Sequence, residues 1–81
     1  MYLEETAPLM VSTNYVNRFK AEYYQLKIRL DKLKAMLEKW DKGQLDFEPT
    51  CERGIYNFQA RAMEQYLEIL EFRADVEDIV L

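Results

Sequence analysis

The sequence predicts an all-α protein: an antiparallel, coiled-coil-like two-helix hairpin with a short N-terminal arm, assembled into a homo-oligomeric helical bundle. Apolar residues recur at helical spacing in both halves of the chain, and only two glycines and two prolines occur among 81 residues. A chain this short buries too little surface to be comfortably stable alone. With one cysteine and no histidine, neither a disulfide nor a usual zinc site is available to help, so we expect oligomerisation.

Residues 1–13 form the predicted arm. Its apolar side chains are Tyr2, Leu3, Leu9, Met10 and Val11. They are too apolar to stay in solvent, so we expect the arm to pack on a neighbouring protomer. The segment carries acidic residues where a secretion signal carries basic ones, and no apolar run approaches the roughly 18 residues that span a bilayer. We therefore expect a cytoplasmic protein with no membrane contact.

The first long helix is predicted over residues 14–41. Asn14 and its neighbours can accept hydrogen bonds from the first free amides, and Gly43 tolerates the left-handed conformation that ends a helix. Apolar residues alternate three and four apart, the a/d pattern of a heptad repeat: Val16, Phe19, Tyr23, Leu26, Leu30, Leu33, Leu37 and Trp40. A second line lies away from this seam and indicates contact with another protomer: Ala21, Tyr24, Ile28 and Ala35.

A connector over residues 42–50 precedes the second helix, predicted over 51–78. Pro49 disfavours helix at Glu48, and Thr50 is placed to cap the next helix. Three apolar lines follow: Ile55, Ala62, Tyr66, Ile69 and Val76, then Tyr56, Met63, Leu67 and Leu70, then Phe58, Phe72 and Ile79. That face is too wide for one partner helix. We expect the second helix to contact both the first helix and another protomer.

Charge is divided unevenly between the two helices. Residues 14–42 hold eight basic and four acidic side chains, whereas residues 50–81 hold three basic and seven acidic ones. Antiparallel packing is expected to set lysines of the first helix against acids of the second, at about 0–1 kcal/mol per exposed pair. These are Lys20, Lys27 and Lys34 against Glu64, Glu68, Glu71 and Asp75. The net charge of −4 argues against general nucleic-acid binding.

Catalytic chemistry is not indicated. The chain has no histidine, Cys51 has no neighbouring base, and no Gly-rich phosphate loop or nucleophile elbow occurs. We expect no enzyme activity, no catalytic residue and no cofactor. Glu64, Glu68 and Glu71 have a spacing that suits a divalent cation, but without a matching acid pair on the first helix a solvated face is the preferred interpretation, and no metal is expected.

Polar side chains are predicted to meet at the open end of the hairpin, with Tyr15, Arg18 and Glu22 opposite Tyr66 and Arg73. One interpretation is a recognition pocket in which arginine holds phosphate or carboxylate and tyrosine stacks on a nucleobase. The other is a structural ion pair of Glu22 with Arg73 that fixes the register.

A basic track along the first helix is another candidate anion site, unless it neutralises the acids of the second helix. It comprises Arg18, Lys20, Lys27, Lys34 and Lys39. From the track, the open end and the second apolar line, the candidate ligand-binding residues are Tyr15, Arg18, Lys20, Glu22, Tyr24, Tyr66 and Arg73.

A family resemblance rests on spaced residues in both helices. The patterns Tyr15-x-x-Arg18-x-x-x-Glu22-x-x-x-Leu26 and Gln59-x-x-x-Met63-x-x-Tyr66-x-x-x-Leu70-x-x-Arg73 resemble small phage and prophage helical-hairpin proteins, the crAss-phage-related proteins. The connector 45–51 and the end 77–81 are similar to members from prophages of Firmicutes. A more distant likeness, in architecture, is to the helical hairpin of phage nucleotide sponges that counter the CBASS and Thoeris defences.

These resemblances imply an accessory phage protein that antagonises immunity in the bacterial cytoplasm. Our leading hypothesis is a non-enzymatic sponge, an oligomer that sequesters a cyclic oligonucleotide or cyclic ADP-ribose type of messenger between protomers. One alternative is an acidic, anti-CRISPR-like inhibitor whose partner is a host defence protein. Another is a coiled-coil scaffold without a ligand.

Overall fold

The computed structural model describes residues 1–81 and contains helices and connecting segments without strands. A 3-10 helix at Leu3–Thr6 leads into the short α1 (Ala7–Met10), and the two long helices are α2 (Tyr15–Asp41) and α3 (Arg53–Val76). The predicted all-α class is confirmed. α2 and α3 run antiparallel, because Asp41 bonds to Arg53 at one end and Tyr15 bonds to Glu77 at the other.

Both ends of α2 are set by local hydrogen bonds. The Asn14 side chain accepts from the backbone amides of Val16 at 2.8 Å and Asn17 at 3.3 Å, which satisfies two amides that have no partner inside the helix. Gly43 adopts a left-handed φ of +68°. The Gln44 amide then donates to the Lys39 carbonyl at 2.8 Å and closes the helix.

α3 ends by the same geometry with a different residue. Asp78 takes the left-handed conformation, φ +55°, and the Ile79 amide donates to the Ala74 carbonyl at 2.8 Å. This turn carries the Ile79 side chain into the core, where it is buried. At the other end Glu52 occupies the cap position without a capping side-chain bond, so the prediction that Thr50 caps this helix is wrong.

One face of each long helix forms the core. On α2 the buried members of the heptad seam are Phe19, Tyr23, Leu26, Leu30 and Leu37. On α3 the least exposed residues also alternate three and four apart, and they are Arg53, Tyr56, Ala60, Met63, Leu67, Leu70 and Ala74. Only ten of the 81 residues are buried, so the hairpin has a thin core.

The N-terminal arm packs on α2 of its own chain. Thr6 is buried and accepts a hydrogen bond from the Gln25 amide at 3.1 Å, and the same amide lies 3.4 Å from the Met10 sulfur. Ala21 beneath the arm is 1% exposed. The expectation that the arm packs on a neighbouring protomer is wrong, since the arm covers part of the second apolar line of α2 itself.

Charge pairing between the helices is sparse. The predicted set of lysine–acid contacts reduces to Lys34 Nζ and Glu64 Oε1 at 2.9 Å, with both side chains about half exposed. Glu71 instead accepts from the Tyr23 hydroxyl at 3.4 Å. The helices are therefore held together mainly by their apolar faces.

Arg53 holds the closed end of the hairpin, a role that the sequence did not reveal. Its guanidinium donates two hydrogen bonds to Asp41 and one, at 2.9 Å, to Asn57. It also lies 5.4 Å from the ring centre of Trp40, and Trp40 meets Tyr56 edge to face at 5.9 Å. The hydrogen bonds from Arg53 lower the pKa of the Asp41 carboxyl.

We expect Asp78→Gly to raise the free energy of unfolding by about 0.5–1 kcal/mol, because glycine adopts a positive φ without the steric cost that an L side chain meets. Gly43→Ala is the matched control and is expected to lower it by about 1 kcal/mol. Urea denaturation at one fixed protein concentration measures both. Identical midpoints for wild type and the two variants would contradict this account of the helix ends.

Candidate functional site

An open groove of about 460 Å³ lies where α1, α2 and α3 come together. α1 contributes Met10 and α3 contributes Tyr66. α2 contributes a row of residues at helical spacing, namely Arg18, Ala21, Glu22, Gln25, Leu26 and Arg29. The groove exists because the arm folds back beside the hairpin and leaves a channel between itself and α3.

Two arginines mark the ends of the groove. Arg18 and Arg29 lie eleven residues apart on one side of α2, which is about 16 Å along the helix axis. One nitrogen of Arg18 donates to the Ser12 carbonyl at 3.0 Å, so this side chain is oriented while its other donors stay free. Arg29 makes no ion pair in the structure. Both guanidinium groups are available to anions.

Between the arginines the groove combines polar and apolar surfaces. Ala21 and Leu26 are buried and form an apolar floor. Glu22 and Gln25 lie between the two guanidinium groups along α2, and the Tyr66 side chain, 42% exposed, forms the opposite wall. An apolar floor, an aromatic wall and cationic ends suit a ligand with a flat ring and two anionic groups.

A second polar cluster closes the open end of the hairpin. The Tyr15 hydroxyl donates to Glu77 Oε1 at 2.7 Å and accepts from Arg73 Nη2 at 3.0 Å. Arg73 Nε also lies 3.4 Å from Glu77 Oε2, and its guanidinium lies 5.1 Å from the ring centre of Phe19. The predicted pair of Glu22 with Arg73 is wrong, because Glu77, four residues after Arg73 and directly after the end of α3, takes this place.

The open-end cluster satisfies its own polar groups. The hydrogen bond to Glu77 raises the pKa of the Tyr15 hydroxyl, and desolvation adds to the effect. Each of the three side chains has a partner within the cluster. We therefore assign Tyr15 and Arg73 to a structural clamp at the open end.

The predicted ligand residues thus fall in three places. Arg18, Glu22 and Tyr66 line the groove, and Tyr15 with Arg73 forms the clamp. The remaining two predicted ligand residues, Tyr24 and Lys20, do not line the groove. Tyr24 is half-buried and meets the Tyr23 ring edge to face at 5.2 Å. Lys20 is half-buried and has no ion pair.

Five of the eight groove residues were not among the candidate ligand residues: Ala21 and Leu26 of the apolar floor, and Met10, Gln25 and Arg29. Arg29 and Gln25 continue the helical line of Arg18 and Glu22, so extending that line by two turns finds them. Met10 had no such signal, since its position depends on how the arm folds back. The missed Arg29 matters most, because it supplies the second cationic end.

Metal chemistry has no visible site in the structure. No three histidine, cysteine or acidic side chains lie close enough together to hold a metal ion. Of the spaced acids on α3, Glu64 is paired with Lys34 and Glu71 accepts from Tyr23.

None of the helices combines the length and the apolar character that a membrane crossing requires.

A family model described as Sequestin matches residues 13–76, a stretch that contains all of α2 and α3. Every groove residue except Met10 lies within it. No curated protein and no solved structure matches the chain.

We expect Glu77→Gln to lower the pKa of Tyr15, because the hydrogen bond to the Glu77 carboxylate is the main cause that raises it. A tyrosine pKa raised by folding contributes stability that is present below its unfolded pKa and is lost as pH rises through its folded value. Carbon-13 NMR of the tyrosine rings across an alkaline titration follows this group. Asp46→Asn, in the connector, is the control and should leave the Tyr15 titration unchanged; an unchanged titration in Glu77→Gln would contradict the assignment.

Proposed function

This chain belongs to the Sequestin family, and we propose that it is a phage-type antagonist of bacterial immunity that acts as a non-enzymatic sponge. In this proposal a homo-oligomer sequesters a nucleotide-derived messenger, of the cyclic oligonucleotide or cyclic ADP-ribose type, between protomers. The name of the family indicates sequestration of a ligand. The observation that carries the proposal is the groove with Arg18 and Arg29 at its ends and Tyr66 on its wall.

The groove offers a suitable partner for each part of such a messenger. Guanidinium groups bind phosphate through paired, charge-assisted hydrogen bonds, and Arg18 and Arg29 provide one such group at each end. The Tyr66 ring offers a face on which a nucleobase stacks, a contact worth about 1–3 kcal/mol per base. The Glu22 carboxylate accepts from ribose hydroxyls or base amines, which adds selectivity.

Sequestration without cleavage fits the side chains that line the groove. They include no serine, cysteine, lysine or histidine, the residues that most often act as nucleophile or general base in phosphoryl and glycosyl chemistry. Glu22 lies between two arginines along α2, and no second carboxylate faces it across the groove. The residues present can bind an anion and have little means of cleaving it.

The groove of one protomer is open on one side. Small-molecule sites typically bury about 70–90% of the ligand surface, and the open side leaves this groove short of that enclosure. A second protomer against the open side would complete it, which supports binding between protomers.

The acidic-inhibitor alternative has less support. It requires the acids of the second helix to be free for a basic partner, yet three of the seven have partners within the chain, namely Glu64, Glu71 and Glu77. No observation in the structure favours the scaffold alternative over a binding protein.

Calorimetry with a panel of cyclic dinucleotides, cyclic trinucleotides and cyclic ADP-ribose isomers tests the proposal directly. At least one of these should bind with a dissociation constant in the micromolar range or tighter. Heating the complex and analysing the released ligand by chromatography should recover it intact, which separates a sponge from an enzyme. No binding across the whole panel would refute the proposal.

We expect Arg29→Ala and Tyr66→Ala each to weaken messenger binding by about 10- to 100-fold, from the loss of a charge-assisted contact and of a stacking surface. Tyr66→Phe keeps the aromatic face and should bind nearly as tightly as wild type. Lys42→Ala removes an exposed cation outside the groove and serves as the charge control. Wild-type affinity in both alanine variants of the groove would place the ligand elsewhere.

A further inference from the structure

α3 carries a second heptad line that faces solvent, which we call the outer seam. Its members alternate three and four apart along the whole helix, and they are Ile55, Phe58, Ala62, Gln65, Ile69, Phe72 and Val76. Phe58 is 75% exposed and Phe72 is 70% exposed. The outer seam is displaced by two residues from the line that packs on α2, which places it about 160° around the helix. It therefore points away from the rest of the hairpin.

The amount of exposed surface indicates that the outer seam has a partner. The chain of 9.8 kDa exposes 6048 Å², whereas a compact monomer of that mass exposes roughly 5,200 Å². A row of exposed aromatic and aliphatic side chains, interrupted here by Gln65 alone, is typical of a protein interface. Its regular heptad spacing suits another helix.

We infer that the outer seam pairs antiparallel with the outer seam of a second copy of this chain. The argument for a second copy is charge complementarity. Arg61 and Glu68 flank the seam on the same side, seven residues apart, and neither forms an ion pair within the chain. In antiparallel, two-fold symmetric packing, Arg61 of each copy lies beside Glu68 of the other, so the contact forms twice.

The same register sets large residues of the seam against each other in complementary pairs. Phe58 packs on Ile69 of the second copy, and Phe72 packs on Ile55. Each phenylalanine thus meets an aliphatic side chain, a favourable arrangement for filling the space between helices.

The middle of the seam fixes the register. Ala62 and Gln65 lie opposite Gln65 and Ala62 of the second copy, on either side of the symmetry axis. A single polar residue at a core position costs stability but selects one register and orientation. Gln65, flanked by apolar seam residues on both sides, fits that role.

A parallel dimer is less favourable. It would place Glu68 beside Arg73 of the second copy, but Arg73 is already bonded to Glu77 and Tyr15. Arg61 would then have no acidic partner. Antiparallel α3 helices also oppose their dipoles, which parallel helices do not.

This pairing deepens the proposed function by naming the surface through which protomers assemble, although it stands without any ligand. Tyr66 follows Gln65 directly and lies at the edge of the outer seam on the groove side. In the antiparallel register Gln59 of the second copy lies beside Tyr66. The dimer therefore adds a polar side chain from the second copy to the open side of the groove.

Molecular mass in solution, measured by analytical ultracentrifugation without ligand, tests the surface. Wild type should be a dimer, and Phe58→Glu and Phe72→Glu should dissociate at least 100-fold more readily while circular dichroism shows unchanged helix content. Val80→Glu changes a residue that is 83% exposed and off the seam, and it should stay dimeric. A monomeric wild type, or seam variants with the wild-type mass, would overturn the inference.

Orientation is tested by charge reversal and by a spin label. Arg61→Glu and Glu68→Arg should each weaken the dimer about tenfold, and the double variant should recover most of the loss. A label at Asp75→Cys in a Cys51→Ser background should give a distance of about 35 Å between copies if they are antiparallel, and about 10 Å if parallel. The short distance, or no recovery in the double variant, would overturn the antiparallel register.

The two proposals fail separately. A dimer that binds no messenger overturns the proposed function and leaves the outer seam as assigned. A monomer that binds a messenger overturns the seam assignment and the placement of the messenger between protomers, and leaves sequestration in the groove of one chain.

Discussion

In a hairpin of two helices each helix has one face that packs on the other. The exposed apolar surface and the thin core of this molecule both depend on which residues of α3 occupy that face. The line packed on α2 includes the small residues Ala60 and Ala74, and small residues of this kind let two helices approach closely. The larger Phe58 and Phe72 stay outside. Large apolar side chains therefore stay exposed within one protomer. Because the chain has only 81 residues, the apolar area that remains buried leaves a small free energy of unfolding.

Two arginines of α3 close the ends of this thin core in the same way. Arg53 lies over Trp40 and bonds to Asp41, and Arg73 lies over Phe19 and bonds to Glu77. In each case the flat guanidinium covers an aromatic ring of α2 and keeps its donors paired with a carboxylate, so an apolar edge is shielded without an isolated buried charge. Each cation–π contact at such an exposed site contributes about 0.5–1 kcal/mol.

The sequence predicts α2 well and α3 less well, for a physical reason. On α2 one heptad line of eight apolar residues stands out from the shorter second apolar line, and Leu30 at its centre is 2% exposed. On α3 several apolar lines compete, and hydrophobicity alone favours the wrong inner face, because the exposed line carries Phe58 and Phe72 while the packed line carries Arg53 and Ala60. Which line faces α2 is decided by close packing, which periodicity does not encode.

The candidate site, too, could be predicted only where helical periodicity was sufficient, and not where it depends on tertiary contacts. Arg18, Glu22 and Tyr66 are indicated by residue type and helical spacing, and the structure places all three along the groove. Tyr15 and Arg73 are also a tyrosine and an arginine at helical spacing, but both are bonded to Glu77. That pairing depends on where α3 ends, which the spacing of residues within α2 does not indicate. Met10 reaches the groove through the fold of the arm, which is a tertiary contact with no local sequence signal.

The walls of the groove come from three separate elements, α1, α2 and α3, and this ties occupancy to folding. A ligand that contacts all three binds only the closed hairpin, so its binding free energy adds to the free energy of unfolding. At a free concentration 100 times the dissociation constant that addition is about 2.7 kcal/mol, a large share of the stability of a small domain. If the groove binds the proposed messenger, capture of that ligand and stability of the folded hairpin are one linked equilibrium.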